Sequence, residues 1–168
     1  MTFPSRIFLV GLPGSGKSTV GAYLAKALNY TFQDLDAEIE EVAGRSIADI
    51  FEEEGEEYFR KLEATQLRQM TDEKMVISTG GGAPCFLDGM KWMNENGFTI
   101  FLNPPFDTIV ERISKEAHRP LIGDDPEETL INLLSKRMPH YRQAKMEASL
   151  MTPCEILTKF RNFFSGKS

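Results

Sequence analysis

Eight residues near the start of the chain, Gly11-Leu12-Pro13-Gly14-Ser15-Gly16-Lys17-Ser18, leave little freedom in what can surround them. They match G-x-x-x-x-G-K-[ST], a loop that belongs between a strand and the first turn of a helix. Both neighbours are present. Upstream, Arg6-Ile7-Phe8-Leu9-Val10 is a nearly continuous apolar run, the pattern of a parallel strand buried on both faces. Downstream, Val20, Leu24 and Leu28 recur every four residues and predict one stripe of an amphipathic helix. A chance match to all four fixed positions in a chain of this length is on the order of one in a hundred.

Each residue type in the loop has a physical task. The glycines take backbone angles closed to other residues and carry no side chain, so successive N–H groups can face phosphate oxygens. The helix N-terminus adds unpaired donors and partial positive charge. Gly11, Gly14, Ser15, Gly16, Lys17, Ser18 and Thr19 are therefore the candidate nucleotide-binding residues. Lys17 can reach the β- and γ-phosphates, and the Ser18 hydroxyl can ligate Mg²⁺. The chain is expected to bind a nucleoside triphosphate.

Strand and helix patterns alternate along the rest of the chain. Residues 30–34 read as a second strand that delivers Asp34 and Asp36, and residues 37–72 read as acidic helices broken at Gly44 and Gly55. Residues 75–79 form a third strand running into Gly80-Gly81-Gly82; a helix over 87–94 follows, with Gly97 beyond it. Residues 99–102 are a fourth strand, and Pro104-Pro105 opens a helix through Arg112. Residues 114–126 are polar and read as a loop. Asp125 and Pro126 then supply an N-cap and first-turn proline for a helix towards Tyr141. Residues 148–151 read as a last short strand; Thr152 to Glu155 has capping-box spacing, and Ile156, Phe160 and Phe163 are the expected buried face of the final helix. This alternation predicts an α/β fold, a three-layer sandwich with a central parallel sheet of about five strands. Ligands bind at the carboxyl ends of such strands, so the phosphate loop, the aspartates and the triple glycine should converge on one cleft.

At 168 residues the chain is expected to form a single domain, 1–168. Its formal charge of −6 argues against a general nucleic-acid partner and means that an anionic ligand needs locally concentrated Arg and Lys. Cys85 and Cys154 match no metal spacing and are expected to be reduced thiols. No apolar run approaches a membrane span and no export signal is evident, so a cytoplasmic monomer with no membrane or nucleic-acid partner is expected.

Beyond the loop at 11–19, the sequence carries Asp34-x-Asp36, Gly44-Arg45-Ser46-Ile47, Phe59-Arg60-x-x-Glu63 and Gly80-Gly81-Gly82. Arg119-Pro120-Leu121 and Lys136-Arg137-x-Pro139-x-Tyr141 follow. In this order and spacing, across roughly residues 6–142, the chain resembles the shikimate kinases. The resemblance implies the P-loop NTPase architecture, a mobile lid at about 114–126 and an acceptor-binding helical region at about 37–72. It also implies ATP-dependent phosphorylation of the 3-hydroxyl of shikimate, with Mg²⁺, as a step of aromatic amino-acid biosynthesis.

By the same resemblance Lys17, Asp36 and Arg119 are catalytic, Asp34 joins Ser18 at the metal, and Arg112 and Arg119 lie on the nucleotide. Asp36, Arg60, Gly80, Gly81, Gly82 and Arg137 would hold the acceptor. The chemistry of the residue types agrees: a carboxylate can accept a hydroxyl proton, and a planar guanidinium can grip a carboxylate with two parallel hydrogen bonds. Read without the family, Asp34 and Asp36 could equally be turn or cap residues. Arg60 could equally pair on a helix surface with Glu56, Glu57 or Glu63. His118, His140, Cys85 and Trp92 read as structural or solvent-facing. The resemblance thins after Tyr141, where Lys145 replaces an alanine usual in the family. A gluconate or nucleoside-monophosphate kinase of the same architecture is the alternative. A nucleotide-dependent switch is a further one, although no N-K-x-D tetrapeptide occurs.

Overall fold

The computed structural model describes residues 2–115 and 125–166 and places β1 (Arg6–Val10) at the centre of a five-stranded sheet. β3 (Met75–Ser78) and β4 (Phe98–Leu102) flank it, with β2 (Thr31–Asp34) outside β3 and β5 (Met146–Ala148) outside β4; every pairing is parallel. Successive side chains of a strand point to opposite faces, so an apolar run in β1 must be covered twice.

Ile7, Phe8, Leu9 and Val10 are all fully excluded from water. Ile7 and Leu9 share one cluster with Val20 and Leu24 of α1 (Lys17–Leu28) and Ile156 and Phe160 of α8 (Pro153–Ser165). Phe8 and Val10 belong to the other. There they join Ile39 of α2 (Leu35–Ala43), Ile50 of α3 (Ile47–Glu54), Leu67 of α4 (Glu56–Gln69) and Met93 of α5 (Gly89–Asn96). Ile109 of α6 (Phe106–Ser114) and Leu130 of α7 (Pro126–Tyr141) complete that face. Each such side chain contributes about 1.5–3 kcal/mol of burial. The result is the three-layer sandwich that the alternating pattern predicts.

Parallel pairing sends the carboxyl ends of all strands to one edge. Leu9 and Asp34 are both in register with Ser78, so β1, β2 and β3 end side by side. The phosphate loop, the Asp34–Asp36 segment and residues 80–82 leave that edge as neighbours. No helix among the described residues is long and apolar enough to cross a membrane.

The structure corrects the sequence reading at several ends. The last strand is Met146–Ala148 rather than 148–151, because Leu150 takes a left-handed φ of 48° and lies out in solvent. Phe163 is exposed, and Leu157 takes the buried place expected for it. Leu28 is only half-buried. α5 starts at Gly89 instead of 87, since Leu87 and Asp88 are both left-handed. The predicted breaks at Gly44 and Gly55, the Asp125 cap and the Thr152–Glu155 capping box are all observed. The loop expected over 114–126 lies mostly outside the described residues.

A single 3-10 turn over Ala83–Cys85, absent from the sequence reading, packs directly against the start of α5. A Cβ on Gly89 would overlap the Ala83 carbonyl oxygen and stand 3.0 Å from its carbon. Backbone cannot swing aside as a side chain can. Gly89→Ala should therefore lower unfolding stability by about 3 kcal/mol, the upper end for an overpacked site. Urea denaturation measures it, and an unchanged midpoint would mean that this turn is loosely packed.

Candidate active site

The three converging segments line one cleft of about 920 Å³. On one side it is bounded by Gly14, Ser15, Gly16, Lys17, Ser18, Thr19 and Arg112, and on the other by Asp36, Arg60, Glu63, residues 80–82 and Arg137. Asp34 lies in its wall. Gly11 lies beneath the loop rather than on the cleft surface, where a Cβ would stand 2.7 Å from the Leu102 carbonyl oxygen. Arg119 falls outside the described residues.

On the loop side, Gly16 caps α1 with φ 95°, an angle that side chains disfavour, and supplies no side-chain cap to the first turn. The first-turn amides of α1 are thereby left for a ligand. Lys17 Nζ donates to the carbonyls of Gly11 and Leu12 at 2.8 and 2.9 Å, folding back over its own loop. Arg112 donates to the Gly14 carbonyl at 3.0 Å, joining α6 to the loop. The Ser15 hydroxyl is buried with no hydrogen-bond partner among the described residues.

Asp34 serves the fold and the site together. It is the N-cap of α2, with Oδ1 accepting from the amides of Asp36 and Ala37, while Oδ2 accepts from the Ser18 hydroxyl at 3.2 Å. The cap role weighed from the sequence is therefore observed, and the same carboxylate stands against the Ser18 hydroxyl. Two hard oxygens held this close fit one Mg²⁺. No group of three His, Cys, Asp or Glu side chains is placed to hold a metal among the described residues, so phosphate and water would have to supply the other ligands.

The other side is a buried cluster of charge. Arg60 and Glu63 from α4 and Arg137 from α7 are each at most 6% exposed. Arg60 Nη1 donates to Glu63 at 3.0 Å, while Nε and Nη2 donate to Glu56 at 3.4 and 3.3 Å. That occupies three of the five guanidinium donors and leaves one N–H on each terminal nitrogen. The surface-pair reading of Arg60 thus holds for Glu56 but not for Glu63, which is buried with it. Arg137 Nη1 is buried with no partner among the described residues.

Residues 80–82 pass so close to these groups that a side chain on any of them would have to push a charged group aside. A Cβ on Gly82 would stand 2.6 Å from Arg60 Cζ, and one on Gly81 2.7 Å from Arg137 Nη1. A Cβ on Gly80 would stand 2.8 Å from Asp36 Oδ1 and 2.9 Å from Glu63 Oε2. The run is pinned from behind by the Tyr141 hydroxyl, which donates to the Gly81 carbonyl at 2.6 Å. Tyr141 is fully buried, and burial drives its hydroxyl well above the ordinary value. The sequence marks Tyr141 within a motif but gives no signal for this contact, which spans 60 residues. Burial also pushes the Cys85 thiol up to about 11, so it stays protonated and structural.

Burial raises the Glu63 carboxyl to about 7, with Arg60 and Arg137 opposing the rise and the Asp36 charge adding to it. Two buried guanidinium groups and the buried Glu63 carboxyl, with the half-buried Asp36 beside them, therefore face the phosphate loop across the cleft. This is the layout of a P-loop phosphotransferase with a separate pocket for an anionic acceptor.

The comparisons with known proteins agree. The shikimate kinase family model matches residues 13–163. A shikimate kinase of Sulfurihydrogenibium is 42% identical over 162 residues, covering 92% of this chain and 97% of the relative. A solved shikimate kinase from Acinetobacter baumannii in complex with shikimate superposes with TM-score 0.91 at 34% identity, covering 99% of this chain and 96% of that one. The Bacteroides thetaiotaomicron enzyme gives 0.84 at 38%, covering 96% and 97%. A gluconokinase from Sinorhizobium meliloti shares the fold alone, at 18% identity and TM-score 0.61. The chain belongs to the shikimate kinase family.

The raised Glu63 value has a consequence for stability. Its folded-state value of about 7 lies above its ordinary 4.5, so folding favours the protonated form. That contribution is fully present below pH 4.5 and is lost as pH rises through about 7. Glu63→Gln, which keeps the neutral shape, should remove the dependence. Urea unfolding on either side of this window should show the native protein losing stability relative to the variant as pH rises. Parallel profiles would mean that Glu63 is effectively hydrated.

Proposed function

We propose that this protein transfers the γ-phosphoryl group of ATP to the 3-hydroxyl of shikimate, giving shikimate 3-phosphate and ADP. The observation that carries the reading is Arg137 Nη1, buried and without a hydrogen-bond partner among the described residues, in the same cleft as Arg60 and the phosphate loop. A buried cationic donor left unmatched is costly, and a carboxylate answers it. Family membership supports shikimate as the acid that supplies it.

In this reading the loop amides and Lys17 hold the β- and γ-phosphates, with Ser15, Thr19 and Arg112 in support. Arg60 and Arg137 hold the acceptor's carboxylate, and the backbone of residues 80–82 lets the ring come close. Asp36 orients the acceptor hydroxyl and receives its proton as the oxygen bonds to phosphorus and ADP departs. Transfer passes through a loose transition state, so orientation matters as much as proton removal. Mg²⁺, held by Ser18 and Asp34, would neutralise charge on the phosphates. Arg119 would add positive charge from the lid.

An ADP-release assay with shikimate, gluconate and nucleoside monophosphates tests the assignment. Turnover should require shikimate, and turnover with either alternative but not shikimate would overturn it. Arg137→Lys keeps the charge but loses the planar fork, so shikimate affinity should fall by about 1–3 kcal/mol while Mg-ATP affinity holds. Equal losses for both ligands in calorimetry would move Arg137 out of the acceptor pocket.

A further inference from the structure

Hydrogen bonds grip the edges of the Arg60 guanidinium, but its face is covered by an aromatic ring from a different part of the chain. The Cζ atom stands over the Phe86 ring at 4.3 Å from its centre, closer than to Phe59 at 5.2 Å or Phe51 at 5.8 Å. A cation over a ring face is attracted by the ring's quadrupole. Phe51 and Phe59 line the cleft; Phe86 does not, and its contact with the cleft's residues is the one it makes with Arg60.

The backbone that delivers this ring is strained. Leu87 and Asp88 follow with φ of 49° and 56°, two consecutive left-handed residues that are not glycine. Burial does not account for the strain, because Phe86 is 38% exposed and Leu87 52%. The turn is nevertheless firmly tied. Cys85 N donates to the Gly82 carbonyl at 2.9 Å, Gly89 N to the Phe86 carbonyl at 3.0 Å, and Arg68 of α4 to the Leu87 carbonyl at 2.6 Å. One braced turn thus fixes Phe86 relative both to the glycine run and to the helix that carries Arg60.

Arg60 needs this support because its edge contacts are uneven. Glu63 is buried, but the Glu56 side chain is 56% exposed and its bonds are long, so water competes for it. We propose that Phe86 is a positioning residue for the acceptor's carboxylate. Its ring fixes the plane of the Arg60 guanidinium so that the two remaining N–H donors stay aimed into the cleft. This rests on the reading of Arg60 as a carboxylate ligand.

The test is steady-state kinetics on the full chain with Phe86→Leu, Phe86→Tyr and a series bearing one, two and three ring fluorines at position 86. Fluorine keeps the ring's shape while draining its quadrupole. The KM for shikimate should rise about 3- to 10-fold in Phe86→Leu, with kcat and the KM for ATP unchanged, and recover in Phe86→Tyr. Across the fluorinated proteins the logarithm of that KM should climb with each fluorine while the melting temperature stays level. A KM that ignores fluorination would overturn the proposal, even if Phe86→Leu unfolds, as would parallel changes in both KM values. Absence of shikimate turnover in the unsubstituted protein would sink the acceptor assignment and this proposal with it. Normal turnover with a flat fluorine series sinks this proposal alone.

Discussion

Charge buried at the mouth of the sheet is the constraint on which the rest of this structure depends. Arg60, Glu63 and Arg137 are taken almost wholly out of water, and the interior tolerates them only where they are matched. Arg60 and Glu63 match each other. Arg137 Nη1 has no hydrogen-bond partner among the described residues, so one buried donor in the floor of the cleft is left unmatched there. In the proposed reading binding and stability are therefore set by the same groups, and Glu63, raised to about 7 by burial, marks where the balance is closest.

The scaffold makes that arrangement possible by fixing where the site's loops begin. A central sheet with apolar side chains on both faces gives three adjacent strand ends fixed in register. Loops leaving those ends inherit their spacing from the strands. The acceptor side then borrows a guanidinium from α4 and another from α7, far apart in sequence, and closes on them with three glycines. Tyr141 and the braced turn around Phe86 hold that closure from behind.

Much of this was legible in the residues. The octapeptide pointed to a strand, a loop and a helix at once, because an apolar run precedes it and a helical stripe follows it. Caps were readable where the residue type and the physics coincide, as at Asp125 and at Thr152 with Glu155. Short segments at the edge were not. The fifth strand is only three residues long, and whether Leu150 pairs or turns outward depends on where the neighbouring strand ends. Phe163 and Leu157 satisfy helical periodicity almost equally, and packing buries Leu157 while leaving Phe163 exposed.

By itself the sequence determined the layered fold, the phosphate loop, the glycine run and the residue types available for an acid acceptor. These follow from local rules: periodicity, backbone freedom and the donor geometry of particular side chains. Only the tertiary structure decided which charges are buried, since burial depends on everything packed around a group. It turned Arg60 from a helix-surface residue into half of a buried pair, set the Asp34 cap against the Ser18 hydroxyl, and left Arg137 Nη1 without a hydrogen-bond partner among the described residues. It also set Phe86 over Arg60, a contact across 26 positions that no periodicity encodes. Desolvation and long-range contact are properties of the packed whole, and a sequence read along one dimension does not contain them.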